Sequence, residues 1–390
     1  MKALIFGAGN IGRGFLGELF HRSGYEVVFA EVVPEVVAQL NRRHAYPHWV
    51  VSDRNTERNE ISGVRAVSAL DGRAVARELA DADLAATAVG VNRLSGLAPL
   101  LASGIEKRAA AGGGPCNIVI CENMLGAGSF LRARVLEHLD PARAGYLEAN
   151  VGFVETVVSR MVPPVPADLA RAHPLLVMVE PYNVLPVSRT AFRGGIPAVT
   201  GFLPVPDIHA WEEQKLYVHN LGHSVCAYFG YLRGFRYIWE AVRDGAVRET
   251  LFAALGESGA ALTRKYAFLA GGLPAHVSDL AARFSNRALG DTVSRVGREP
   301  LRKLGPGDRM VGALAFCREQ GVPADNICFT IACALCYDCP ADRQAGEMQA
   351  MISRAGVESV LAGVSGLEPG DPAVGKIKND WRQLTAKRRS

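Results

Sequence analysis

Lys215, Asn220 and His223 sit in the stretch Glu213-Gln-Lys-Leu-Tyr-Val-His-Asn-Leu-Gly-His223. It places an amine, an amide and an imidazole on one short helical segment. On a regular helix of about 100° per residue, Lys215, His223 and Asn220 point at about 0°, 80° and 140°. All three then share one broad face. Lys215 and Asn220 lie about 7.5 Å apart along the axis, and Asn220 and His223 about 4.5 Å. An amine that takes a proton, beside neutral donors that hold an alkoxide, suits the oxidation of an alcohol. The rest of the segment is apolar, with Leu216, Val218, Leu221 and Val225. A solvated polar face is the alternative that spacing alone leaves open. His219 falls at about 40° on the same face and reads as a supporting or surface residue.

Such a trio needs an oxidant, and the N-terminus offers a place for one. Gly7-x-Gly9-x-x-Gly12 follows the apolar run Ala3-Leu-Ile-Phe6 and precedes a helical pattern over 13–22. That is the context a dinucleotide fingerprint requires. Gly7 permits the tight turn, Gly9 lets the backbone approach a pyrophosphate, and Gly12 lets helix and strand pack closely. Residues 7–12, with Ala8, Asn10 and Ile11 between the glycines, form the expected phosphate loop at a helix N-terminus. The second strand ends in Glu31, nineteen residues after Gly12. An acid there suits the ribose hydroxyls of NAD and repels the extra phosphate of NADP. Arg13 is one side chain able to offset it. Thr87-Ala-Val89-Gly90 and Cys121-Glu-Asn123 follow later strands, where parallel strands present their carboxyl ends to a cofactor. Thr87 and Val89 are therefore expected cofactor contacts. Asn123 is read either as a donor on the nicotinamide or substrate side or as a turn residue.

The surrounding rhythm is strand and helix in alternation. Short apolar runs at 3–6, 27–30, 49–51, 84–89 and 118–121 read as strands, with helices at 32–43 and 98–110 between them. This predicts an α/β fold beginning with a Rossmann-type doubly wound parallel sheet. Residues 149–162 read as extended up to the breaker Pro163-Pro164, and 175–187 as strand. From about residue 210 helical patterns dominate, for example 241–254, 260–268 and 310–318. The expected organisation is a dinucleotide-binding domain over 1–195 and a mainly α-helical C-terminal domain over 196–390.

The chain has 390 residues, 49% apolar and 21% charged, with 43 basic and 39 acidic side chains. This suits two globular domains. A net charge of +4 is too small an excess to argue for nucleic acid. The basic tail 387–390 reads as solvated. No apolar run reaches the roughly 20 residues of a membrane span, and the N-terminus runs straight into strand and glycine turn. A cytoplasmic protein with no membrane partner is expected. Among eight cysteines, Cys333, Cys336 and Cys339 form a C-x2-C-x2-C run inside an apolar helix. Core packing is the preferred reading and metal the weaker one.

Taken together, Lys215-x4-Asn220-x2-His223, Gly7-Ala-Gly-Asn-Ile-Gly-Arg-Gly14, Cys121-Glu-Asn-Met124, Arg295-Val-Gly-Arg-Glu-Pro-Leu-Arg-Lys-Leu304 and Gly307-Asp-Arg309 resemble the polyol-specific long-chain dehydrogenases, from residue 1 to about 365. The resemblance implies a metal-independent, NAD-dependent oxidation of a polyol. Lys215 would be the general base, with Asn220 and His223 on the reacting oxygen. It implies mannitol 1-phosphate and fructose 6-phosphate as the first substrate pair. An unphosphorylated polyol or a hexuronate is the alternative, and a non-catalytic NAD-binding protein a further one. It implies a monomer. Glu155 occupies a place that resembles a substrate-contacting position. Ser159 and Ser188 stand where relatives tend to carry acids, which weakens the hold on sugar hydroxyls. Arg295, Arg298, Arg302 and Lys303 are the cations available for a substrate phosphate. Arg295 and Arg302 are equally readable as ordering the catalytic helix.

Overall fold

The computed structural model describes Met1–Arg389 and divides into two compact units, Met1–Trp211 and the residues from Glu212 onward. Eleven strands lie in the first: β1 (Lys2–Phe6), β2 (Glu26–Glu31), β3 (Ala45–Val51), β4 (Thr56–Ser62), β5 (Val64–Ser68), β6 (Leu84–Thr87), β7 (Cys116–Ile120), β8 (Val151–Glu155), β9 (Val177–Val179), β10 (Leu185–Ser188) and β11 (Phe202–Val205). Six form one sheet in the order β5-β2-β1-β6-β7-β8, and every pairing is parallel. Counted along the chain, that is the 3-2-1-4-5-6 order of a doubly wound dinucleotide fold.

The sheet is buried on both faces, so its strands are continuous apolar runs rather than alternating ones. Successive residues still serve opposite faces. Ala3 and Ile5 join the core built with Phe15, Leu19 and Phe29. Leu4 and Phe6 join the core built with Leu79, Leu101 and Leu131.

Residues 49–51 are strand, but not in this sheet. β3 pairs antiparallel with β4 and parallel with β9, forming a separate three-stranded sheet. The third parallel strand is β5, which composition hides because it is short and half polar. Residues 149–162 are not one extended run. A helix ends at Asn150, β8 follows, and 157–166 are irregular. Residues 175–187 likewise split into β9 and β10. Because β10 pairs with β11, the first unit extends beyond residue 195 to Trp211.

The second unit is helical. The patterns at 241–254 and 260–268 largely merge into one helix, Gly245–Lys265, which carries Gly256 and Gly259 without breaking. Val311–Glu319, Asp325–Leu335, Arg343–Ala355 and Pro372–Arg389 follow. The basic tail continues the last of these. Arg388 is exposed but anchored, 3.3 Å from Asp338 and 3.0 Å from the Cys336 carbonyl. Ser390 lies outside the described residues. Among the described residues, no helix is long and apolar enough to cross a membrane.

Candidate active site

Two parts of the chain carry the candidate residues, one in each unit. In the first, the glycine loop leaves β1 at the topological switch point between β1 and β6. Gly7 has φ +96°, and a Cβ there would meet the Ala88 carbonyl oxygen at 2.6 Å. Only glycine fits that turn. A Cβ on Gly12 would overlap the Gly7 carbonyl oxygen at 1.9 Å, so the helix can start this close to the strand only without one. Gly9 has nothing within 4 Å and is exposed, as is Asn10. The backbone at Gly9 is thus open to a ligand. The helix starts at Asn10, with the Arg13 N–H on the Gly9 carbonyl, and widens into a π-type turn over Gly12–Leu16, in which the Gly17 N–H donates to the Gly12 carbonyl.

Glu31 is buried and is not a surface glutamate. Its carboxylate accepts from the Ala8 N–H at 2.7 Å, the Val32 N–H at 2.7 Å and the Val33 N–H at 3.0 Å. It pins the glycine loop to the end of β2. Arg13 feels the Glu31 charge but from inside the protein rather than from the surface. Its buried guanidinium donates to the Ala8 and Leu175 carbonyls.

At the end of β6, Thr87 is fully buried and its hydroxyl has no hydrogen-bond partner. Val89 is half-buried and Asn123 exposed. Glu122, which the sequence did not single out, accepts from the Val89 N–H at 2.8 Å and the Gly90 N–H at 2.9 Å. One carboxylate thus shapes each loop, Glu31 the first and Glu122 the second. A glutamate beside Asn123 carries no signal of that role by itself.

In the second unit, Lys215, Asn220 and His223 do lie on one helical run, within 212–232. It is not the regular helix that steps of about 100° assume. Lys215–Asn220 and Val225–Phe229 are π-helical, with α-helix at Leu221–Ser224 between them. A π-turn closes at i→i+5 and takes more residues per turn than an α-turn, so Lys215 and Asn220 stand closer round the axis than the about 140° of a regular helix. Wide turns of this kind often mark functional sites. The run is held from behind. The Ser258 hydroxyl donates to the Tyr217 carbonyl at 2.6 Å. A Cβ on Gly222 would meet Leu251 and Phe284 at 3.2 Å each.

Lys215, Asn220 and His223 are half-buried, whereas His219 is buried and is no surface residue. Phe284 stacks on the His223 ring at 4.0 Å, and His219 meets His223 edge-on at 5.1 Å. Nδ1 of His219 and Nε2 of His223 are buried without partners. Burial, then His223, Arg283 and Lys215, hold His219 well below the ordinary imidazole range. Burial, then Arg309 and Arg295, do the same to His223. Both rings are neutral near pH 7, which leaves His223 a neutral hydrogen-bond donor.

The basic run 295–303 separates into different roles. Arg295 pairs with Asp291. Arg302 pairs with Glu299 at 3.0 Å and Asp308 at 2.9 Å. Both are exposed, yet each is already held by carboxylates. Lys303 is buried, and its ammonium donates to the Val296 and Arg298 carbonyls. It is an internal clamp rather than a phosphate anchor. Burial, then the guanidinium of Arg309, push it down to about 7.

Glu155 ends β8, and one of its oxygens accepts the Gly128 N–H at 2.9 Å. It shares a cleft with Ser188 in the first unit, and Ser159 is not among that cleft's lining residues. Cys333 and Cys336 pack in the core along Asp325–Leu335 and its end, with burial raising both thiols. Among the described residues no three His, Cys, Asp or Glu side chains gather as a metal site.

Family models for two domains match almost end to end. The mannitol dehydrogenase Rossmann domain matches residues 1–201, and the mannitol dehydrogenase C-terminal domain matches 207–385. Among solved structures, the chain is similar to Pseudomonas fluorescens mannitol 2-dehydrogenase in ternary complex with NAD and D-mannitol. The TM-score is 0.75 and the identity 18%, over 100% of this chain and 92% of that one. It is similar to a D-sorbitol dehydrogenase in substrate-free form, with TM-score 0.80 and 17% identity, over 100% of this chain and 93% of that one. At these identities the solved structures speak for the fold.

Proposed function

Because the chain belongs to the mannitol dehydrogenase family, we propose that it oxidises a secondary alcohol of a polyol with NAD and runs the reverse reduction. The observation that carries this is the π-helical turn over Lys215–Asn220, which draws the two residues closer round the axis, followed on the same run by a neutral His223. NAD, when bound, supplies the hydride acceptor. The open backbone at Gly9, the brace of Glu31 and the buried Arg13 suit NAD better than NADP. Asn10, Ile11, Val89 and Asn123 would complete its contacts, whereas Thr87, fully buried, is out of a cofactor's reach.

Lys215 takes the hydroxyl proton as the alcohol is oxidised and returns it to the carbonyl oxygen in reduction. Asn220 and His223 donate hydrogen bonds to that oxygen as its negative charge grows. A neutral imidazole can donate without itself giving up its proton to the alkoxide.

For the substrate, the proposal is mannitol 1-phosphate with fructose 6-phosphate, the phosphate meeting the exposed face of Arg295, Arg298 and Arg302. One observation favours an unphosphorylated polyol instead. Arg295 and Arg302 are already neutralised by Asp291, Glu299 and Asp308. NADH formation across mannitol, sorbitol and their phosphates decides. Turnover of phosphates alone supports the first reading, and of free polyols alone the second. NADH binding with no turnover of any of them would overturn the enzymatic reading.

A further inference from the structure

Four cations of the first unit line one cleft of about 590 Å³. Arg73 and Arg77 stand on the helix Gly72–Ala80, Lys107 on the helix Ala98–Ala110, and Arg143 at the end of the short turn Pro141–Arg143. Among the described residues, none of these four side chains makes a hydrogen bond or an ion pair. Their neighbour Arg108 behaves differently. It donates to the carbonyls of Ala80 and Ala82 at 2.8 Å each, Gly114 at 2.9 Å and Pro115 at 3.0 Å. The nearby acids are engaged with backbone. Asp71 accepts from the N–H groups of Arg73 and Ala74, Glu106 from the Asp140 N–H at 2.7 Å, and Asp140 from the Ala142 N–H at 3.0 Å.

Helix stability does not account for the cluster. Arg73 lies in the first turn of its helix, at the positive end of the dipole, where a cation is unfavourable. Arg77 and Lys107 suit the last turns of theirs. Yet Arg73 and Arg77 are four residues apart, so like charges neighbour each other about 6 Å along one helix face. The two helices meet closely because Gly104 has no side chain; a Cβ there would lie 2.5 Å from Leu79.

The cleft is separate from the candidate active site. None of residues 7–12, 31, 87–90 or 122–123 lines it. Lys107 lies in the last turn before β7, and Arg143 precedes β8, which puts that part of the cleft toward the amino ends of the strands. Dinucleotides bind outside the carboxyl ends.

We propose that this cleft is an anion site for a small, non-aromatic compound with two phosphate groups, such as a sugar bisphosphate. Two phosphates carry about three to four negative charges near pH 7, which four unpaired cations match. Arg73 and Arg77 serve one phosphate and Lys107 and Arg143 the other. The Ser103 hydroxyl is at hand for the hydroxyls between them. No aromatic side chain lines the cleft to stack a base, which disfavours a nucleotide. The inference concerns binding alone and does not depend on the proposed reaction.

Calorimetric titration of the whole protein tests it, with NADH saturating so that the glycine loop is filled. The probes are fructose 1,6-bisphosphate, inorganic pyrophosphate and a short DNA duplex. Saturable binding of the first two is expected. It should weaken about tenfold or more in the double variant Arg77→Ala/Lys107→Ala, which loses charge-assisted hydrogen bonds. It should persist in Arg302→Ala, which removes a cation from the candidate substrate face. Arg77 and Lys107 are exposed, so an unaltered thermal melt is expected of the double variant. Arg73→Gln, also exposed, repeats the test should that variant lose its melting transition. No saturable binding, or binding that these substitutions leave unchanged, overturns the proposal. So does binding that Arg302→Ala abolishes, or binding of the duplex alone. Failure of the dehydrogenase reading looks different: no polyol yields NADH, while the bisphosphate still binds.

Discussion

Glu31 has two separable roles, and one substitution tells them apart. In Glu31→Ser the side chain no longer reaches the N–H groups of Ala8, Val32 and Val33. Val32 and Val33 are 46% and 43% exposed, so water can replace the carboxylate there. Ala8 is buried, and its N–H is left unsatisfied at about 1–3 kcal/mol. At roughly 2–4 °C per kcal/mol for a unit of this size, melting should fall by several degrees. If Glu31 also holds the ribose of NAD, a charge-assisted hydrogen bond of about 1.5–3 kcal/mol goes with it. NADH binding then weakens about tenfold or more. NADPH loses the repulsion between its phosphate and the carboxylate, so the NADH/NADPH preference shrinks further. The assay is fluorescence titration of both cofactors beside a thermal melt of the free protein. A drop in melting temperature with an unchanged cofactor ratio would show that Glu31 only braces the loop, and would refute the ribose contact.

Other consequences concern titration and packing. Lys303 falls from an ordinary 10.5 to about 7, so across that window the unfolded chain holds a proton that the native state has lost. Stability rises with pH through the window. Measured by denaturant unfolding, the protein should gain about 2 kcal/mol over Lys303→Met between pH 7 and pH 9; equal slopes would show that Lys303 keeps its proton. His219 and His223 resist protonation that the unfolded chain accepts below about pH 6.5, so stability is lost on acidification. His219→Leu should flatten that acid slope, and an unaltered slope would remove His219 from it. Cys333 is a core packing residue, so Cys333→Ala should destabilise modestly, by about 1 kcal/mol, and EDTA should leave turnover unchanged. A chelator-sensitive loss that metal restores would overturn that reading.

The glycine motif was legible because its three roles are set within a few residues by backbone sterics. The alternation of apolar runs likewise exposed most of the parallel sheet. Where the sequence failed, a longer-range partner made the decision. β4, Thr-Glu-Arg-Asn-Glu-Ile-Ser, is nearly all exposed and becomes a strand only by pairing with β3, so the inserted sheet left no apolar trace. The π-turns at 215–220 and 225–229 have no residue signature, and the angular estimate built on a regular helix placed Asn220 too far round. The basic run at 295–303 read as four cations available to a substrate phosphate, with Arg295 and Arg302 equally readable as ordering the catalytic helix. Packing then buried Lys303 on two carbonyls while leaving Arg295 and Arg302 outside with their acids. Glu122 and the buried Glu31 earned their places through backbone N–H groups far away in sequence, which side-chain patterns do not report.

The central claim is that Lys215 moves the proton. The direct measurement is Lys215→Ala, assayed for NADH formation with the best polyol of the panel and, separately, for NADH binding. Loss of general-base catalysis should cut turnover by about 100-fold to 10,000-fold while NADH binding stays within about twofold. Turnover near that of the unaltered protein, with folding and NADH binding intact, would contradict the account.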